Sequence, residues 1–326
     1  MNVRAIQLAV GLICTLIFLG IAFYRVQFGA VSAALAGANP VWVGAAMLIF
    51  SVTLTLRAWR WQVILCPVVA IPYPMVARTL IVGYGLNAVM PARLGELFRA
   101  EFLKKTFGLS RVWGLTSIII ERLFDGIMVV SCLGVGLLFA TAARPNAALL
   151  TKGLMMGSIL FGAVLIAAFC LSGSVMSRIV RRFPGLSAKM AMVRQGLEIL
   201  RTWRTLEVVA ITLIIYVPDA LSLWCLVKAV GLNLGVADML VLLGAASLST
   251  LLPSGPAFLG TLQFAYGLAI EFAGGPRALG IAAATLAQLC LLLPLALTAA
   301  AIIVHGSGTA LYGIIAGRRS NDGPAT

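Results

Sequence analysis

Acidic residues are scarce in this chain. It has 10 Asp and Glu among 326 residues, against 24 Lys and Arg and a single histidine, His305. One histidine argues against a His-built metal site and a His-dependent catalytic triad. Cysteine is thinly spread: Cys14, Cys66, Cys132, Cys170, Cys225 and Cys290 stand apart, none in a C-x-x-C pair and five within apolar runs. That pattern reads as buried thiols rather than a disulfide framework. Strand-period alternation is absent, which argues against a transmembrane β-barrel. Charged residues of both signs make up 10% of the chain, well below the roughly 25% of a soluble domain. A cleavable leader is not expected either. The apolar run Ala5–Phe23 is long for a signal peptide and no A-x-A site follows it, so it reads as a retained first span.

What is present is apolar length. The chain is 61% hydrophobic with mean hydropathy +1.06, and several runs are long enough to cross about 30 Å of hydrocarbon as helices. The expected fold is an all-α polytopic membrane protein with about six to eight membrane helices plus two broken or re-entrant helical elements. The net charge of +14 gathers at span ends. There it acts as a topology signal and attracts anionic headgroups, so anionic lipids are expected partners and nucleic acid is not. No cofactor is expected.

Taken in order, residues 1–40 hold the first span, roughly 5–24, and a Gly/Ala-rich loop, 25–39. The first half, 41–171, has spans at roughly 41–63, 112–141 and 150–171 around a broken element at 75–107. Arg57-Ala-Trp-Arg60-Trp61 closes the 41–63 span in the manner of a headgroup boundary. Residues 172–205 form a basic linker, either an amphipathic helix on an anionic leaflet or a solvated one. The second half, 206–304, has spans at roughly 206–230 and 277–304 around a broken element at 238–272, before a tail at 305–326. Loop charge favours both termini in the cytoplasm, and so a multi-pass protein of the inner (cytoplasmic) membrane. Spans 41–63 and 206–230 then run in opposite directions, each into a broken element. Leu86-Asn-Ala-Val-Met-Pro91 and Leu248-Ser-Thr-Leu-Leu-Pro253 are weakly alike, and each precedes a glycine, Gly95 or Gly260. Paired interruptions of this kind suggest an inverted repeat with a transport site between its halves. Coincidence between two Gly/Pro-broken runs is the alternative.

Four of the ten acids fall in residues 87–125. Arg93, Glu96 and Arg99 are spaced i, i+3, i+6 after Pro91. A carboxylate holding two guanidiniums can present bidentate donors to a phosphate or carboxylate. With Asn87 they form the candidate binding set, and an interfacial ion-pair cluster is the structural alternative. Glu121 and Asp125 share a helical face beside Arg122. They read as a proton-binding or counter-charge network, or as a salt bridge fixing this span to the first broken element. Pro253, Gly255, Gly260 and Gln263 mark the second break, which is nearly uncharged. Ser254 there lies in no G-x-S-x-G elbow, so a serine hydrolase is not expected. Asp219 after Pro218 is either a further intramembrane acid or a kink hydrogen bond.

Pro91-Ala-Arg93-Leu-Gly95-Glu96-Leu-Phe-Arg99 and Glu121-Arg122-Leu-Phe-Asp125 resemble the R-x-G-E-x-x-R and E-R-x-x-D segments of a flippase-like family. That family is named for the lysylphosphatidylglycerol synthase transmembrane region. The family's second-half G-x-x-E is Gly260-Thr-Leu-Gln263 in this chain, which removes one acid from the presumed site. The resemblance implies movement of an anionic, polyprenyl-linked or hopanoid-type lipid between leaflets. The aminoacyl-transfer activity of bifunctional relatives is not expected, because no such domain follows before Thr326. Two other readings stand beside transport. One is an intramembrane enzyme on a lipid phosphate or glycolipid, with paired carboxylates as acid and base or holding Mg²⁺. The other is a non-catalytic partner of a lipid-synthesis enzyme.

Overall fold

A computed structural model describes residues 3–24, 26–90, 94–143, 203–250 and 256–305. Arg93, Pro253, Gly255, Ser254, the expected span at 150–171, the linker up to residue 202 and the tail from 306 lie outside the described residues. Every regular element among the described residues is helical. Among the described residues, four helices are long and apolar enough to cross a membrane, or up to five if one bent pair counts as a span. The protein is a polytopic α-helical membrane protein.

The first helix, α1 (Val3–Phe23), is followed by α2 (Phe28–Ala36), and the Ile13–Phe23 part of α1 meets α2 at 88°. The 25–39 segment, expected as a loop, is therefore largely helical. Its alanines favour helix, and Val31 is buried against the core. The next helix, α3 (Pro40–Leu65), starts where the Asn39 side chain accepts the Val41 N–H at 2.9 Å with Pro40 in the first turn. It continues through Leu65 and carries Arg57, Arg60 and Trp61 in its last three turns.

The first broken element is a helical hairpin, α4 (Tyr73–Val89) and α5 (Leu94–Phe107). Met90 is extended (φ −100°, ψ 139°), as expected of a residue directly before proline, and this ends α4. The two helices touch backbone to backbone. A Cβ on Gly95 would lie 1.7 Å from the Gly83 carbonyl oxygen, and the Asn87 side chain accepts the Gly95 N–H at 2.8 Å. The long α6 (Arg111–Ala143) follows, tied to α5 by a two-pronged Arg111–Glu101 ion pair.

Beyond the undescribed stretch come α7 (Arg204–Ala229) and α8 (Val236–Ser249). A short 3₁₀ turn (Pro256–Phe258) and α9 (Thr261–Phe272) complete the second broken element. One continuous span then closes the described chain as α10 (Arg277–Ala287), a π-helical turn (Gln288–Leu292) and α11 (Leu293–His305).

The packing has the pattern that exchange of two halves produces. The main partner of α3 is α7, and the two are antiparallel. The Asn39 N–H donates to the Ala229 carbonyl (2.9 Å) at one end, Ser222 Oγ to the Ala46 carbonyl (3.0 Å) farther along, and Arg60 to Thr212 (3.2 Å) at the other. The first broken helix, α4, packs on α11, and its counterpart α8 packs on α6. A large apolar core runs through α6, α7, α8, α9 and α10, and a smaller one lies between α3, α4 and α5.

A charge cluster where α3, α5, α6 and α7 meet

Helical spacing delivers polar side chains to one place. Arg57 and Arg60 are three apart on α3, Glu96 and Arg99 three apart on α5, and Glu121, Arg122 and Asp125 span little more than a turn of α6. Thr212, Tyr216 and Asp219 fall at i, i+4, i+7 on α7, a single face. The four faces converge.

Asp125 is the node. Arg60 donates to it through both terminal nitrogens, at 2.6 and 3.1 Å, and Arg57 and Arg122 approach it at 3.6 and 3.9 Å. Its backbone carbonyl accepts the Tyr216 hydroxyl at 3.0 Å. Arg57 also donates to Asp219 at 2.6 Å, which links α3 to α7. Arg99 donates to Glu121 at 2.5 Å, with its guanidinium 3.9 Å from the Trp61 ring centre. Glu121 also lies 3.9 Å from Arg60, and Arg122 donates to Glu96 at 3.1 Å. Among the described residues, four arginines thus face four carboxylates, and their formal charges cancel.

The cluster has a dry end and a wet end. The Arg60, Arg99 and Glu121 side chains are 0%, 1% and 3% exposed, whereas Glu96 and Arg122 reach 20% and 37%. Arg57, Asp125 and Asp219 lie between these limits. At the dry end several groups carry no hydrogen bond among the described residues: Arg60 Nε, Arg99 Nε, Arg99 Nη1 and Glu121 Oε1. Unused donors on buried arginines leave capacity for an anionic or carbonyl acceptor if the site opens. Among the described residues, no three His, Cys, Asp or Glu side chains stand close enough together to hold a metal.

The sequence-predicted residues are only partly brought together. Glu121 and Arg122 join α6 to the first broken element through Arg99 and Glu96, whereas Asp125 joins α6 to α3 through Arg60 and Arg57. Glu96 pairs with Arg122 and not with Arg99, so the expected Arg93–Glu96–Arg99 trio does not form on its Arg99 side. Asn87 is used within the hairpin, holding the Gly95 N–H. Asp219 is an ion-paired acid rather than a kink hydrogen bond. Arg57 and Arg60 were expected at a headgroup boundary. Arg60 and Trp61 are instead fully buried, and the Trp61 indole N–H donates to Ser117 Oγ at 3.2 Å. A signal existed: the span continues apolar through Val63, Ile64 and Leu65, which places both arginines inside it.

The second break is built from neutral groups. Gln263 accepts the Gly260 N–H at 2.9 Å and donates to Gln288 at 2.6 Å, and Gln288 donates to the Ala257 carbonyl at 2.9 Å. This chain of amides holds a turn in which Ala257 and Phe258 have φ of 55° and 57°. Non-glycine residues rarely adopt that region.

Comparison with known proteins agrees with the architecture. A family profile described as the lysylphosphatidylglycerol synthase TM region matches residues 5–299. A UPF0104 membrane protein of Methanocaldococcus jannaschii is 26% identical over 186 residues, 55% of this chain and 76% of that protein. The glycosyltransferase AglD of Haloferax volcanii is 28% identical over 160 residues, 48% of this chain and 26% of that protein.

Proposed function

This chain belongs to the lysylphosphatidylglycerol synthase transmembrane-region family, and from that membrane-lipid setting we propose that it moves an anionic lipid between leaflets. In this reading it is a transporter and not an enzyme. It sits in the cytoplasmic membrane with both termini inside, as the basic loops favour. Its substrate is an anionic headgroup on an acyl, polyprenyl or hopanoid chain, and a lipid-synthesis enzyme is its natural neighbour.

The single observation that carries the proposal is the balanced cluster joining α3, α5, α6 and α7. Charged groups at membrane depth are costly unless paired or functional. Here they are paired across the two halves through Arg57–Asp219. A headgroup phosphate competes with a carboxylate for guanidinium donors. Arg122 is the arginine of the cluster most open to the outside, so it makes first contact by releasing Glu96. Arg57 follows by releasing Asp219. Arg60 and Arg99 stay locked until the halves move. Asp125 then holds whichever arginines are between partners.

The test is transfer of fluorescent phosphatidylglycerol across the bilayer of liposomes containing the purified protein. Losing one charge-assisted hydrogen bond costs roughly 1.5–3 kcal/mol, so Arg122→Ala should slow transfer by roughly tenfold to a hundredfold. Equal rates for wild type and Arg122→Ala would remove Arg122 from the path. Chemical conversion of a lipid by the protein in detergent micelles, where leaflets do not exist, would replace transport by catalysis.

A further inference from the structure

The exchange of halves makes two seams equivalent: α6 against α8, and the 277–305 span against α4. They are not built alike. The α6–α8 seam is closed by small residues at both contacts. A Cβ on Gly136 would lie 2.8 Å from the Ala237 carbonyl oxygen, and one on Gly244 would lie 2.7 Å from Leu133 Cβ. In the α4–α11 seam the close glycine contact is at Gly85, where an added Cβ would sit 2.3 Å from Ala299 Cβ. Beside that contact a cavity of about 340 Å³ lies between α3, α4, the π-helical turn and α11. That volume is within the usual range for a small-molecule site.

The chemistry of the wall narrows the occupant. Leu54, Ile81 and Leu291 supply apolar surface, and four hydroxyls also line the space. Each hydroxyl is already turned onto a backbone carbonyl. Ser51 donates to Met47 (3.0 Å), Thr55 to Ser51 (2.9 Å), Tyr73 to Thr55 (3.0 Å) and Thr298 to Pro294 (2.8 Å). Among the described residues, no lysine, arginine or acid lines the cavity. A space whose polar groups are self-satisfied holds water poorly and suits hydrocarbon. Two walls belong to helices long and apolar enough to cross the membrane, so lipid is the surrounding solvent.

We propose that this cavity seats one hydrocarbon chain of the transported lipid. The word "transported" rests on the function proposed above; the seat for a chain rests on the wall. The π-helical turn gives the seat a mechanical link. Such turns recur at functional sites because the extra residue loosens the helix. Gln288 opens this turn and binds both Gln263 and the Ala257 carbonyl, so displacement of the wall reaches the strained second break directly. Chain occupancy and the break are therefore coupled through two side-chain amides.

The experiment uses the purified full chain in phosphatidylethanolamine–phosphatidylglycerol liposomes doped with phosphatidylglycerol carrying a diazirine on its acyl chain. After illumination, lipid adducts are mapped by peptide mass spectrometry. Expected is enrichment on the cavity peptides around Ala77–Ile81 and Leu291–Thr298, relative to the exposed α7 face at Leu213, Val217 and Leu221. Ala77→Trp fills the seat from α4 and Thr298→Trp from α11. Both should abolish the enrichment and slow lipid transfer about tenfold, whereas Ala77→Ser should preserve both. Labelling of the cavity no greater than that of the α7 face overturns the proposal, whatever the variants do. Enriched labelling with no transfer by wild type leaves the seat standing and removes transport. Transfer that both tryptophan variants leave at the wild-type rate leaves transport standing and removes the seat.

Discussion

Replacing Asp125 by asparagine should lower the melting temperature of the detergent-solubilised protein by roughly 4–7 °C. The figure follows from the cluster. Asp125 takes two hydrogen bonds from Arg60 and stands within 4 Å of Arg57 and Arg122. The amide keeps the volume and one acceptor but leaves four arginines facing three carboxylates. Removing one partner of a buried ion pair costs about 3–5 kcal/mol, because the remaining charge stays desolvated. An unfolding entropy of about 2.1 cal/mol/K per residue gives about 0.7 kcal/mol/K for a chain of this length, hence the shift. A second substitution, Arg57→Gln, restores charge balance. In Asp125→Asn it should recover about half the loss, although alone it destabilises, since neighbouring sites in one network do not add. The assay is differential scanning fluorimetry on the two single variants and the double. A single-variant shift below about 1 °C, or strict additivity in the double, would refute Asp125 as the node.

Further outcomes follow from other parts of the molecule. Arg99→Met should destabilise more than Arg122→Met, because Arg99 is buried against Glu121 and Trp61 while Arg122 is partly solvated; thermal melts rank them. Gly95→Leu should prevent the α4–α5 hairpin from closing and yield little folded protein on size-exclusion chromatography, given the 1.7 Å clash already set by a Cβ. Gln263→Glu should make stability fall as pH rises, because a protonated carboxyl can still donate to Gln288 and a carboxylate cannot; melts from pH 5 to 8 on the variant and wild type test it. Arg111 holds the Glu101 carboxyl below its usual range through their hydrogen bond. The tie therefore contributes fully above about pH 4.3 and is lost as pH falls through the folded value. Arg111→Gln should accordingly flatten the acid limb of the stability profile.

Much of the architecture was legible in the chain. Apolar run length located α3, α6, α7 and the 277–305 span, and Pro91 located the first break because the residue before proline is driven out of the helical region. The uneven spread of basic residues among the loops implied opposite directions for spans 41–63 and 206–230, and α3 and α7 are antiparallel. The site was less legible. Arginine beside tryptophan at the end of an apolar run is the local pattern both of a headgroup belt and of a buried ion pair. Only the partner decides between them, and for Arg60 that partner is 65 residues away on α6. Glu96 shows the same limit. Its i+3 neighbour Arg99 was the nearest cation in sequence, yet α6 passes closely enough to supply Arg122 instead. The helical content of 25–39 was hidden by the loop-like look of Gly29 and Gly37, although the alanines between them are sound helix formers.

The cancellation of charge in the cluster has an electrical consequence. In the proposed transport, the arginines described in the cluster are already matched by carboxylates, so the loaded site would carry about the charge of the headgroup and its movement would respond to the membrane voltage. Over a complete cycle a monoanionic headgroup takes its own negative charge across the field. Each charge crossing 100 mV is worth about 2.3 kcal/mol, nearly a fiftyfold bias at equilibrium. On the function proposed above, with the cytoplasm negative, that bias would favour the outer leaflet for an anionic lipid.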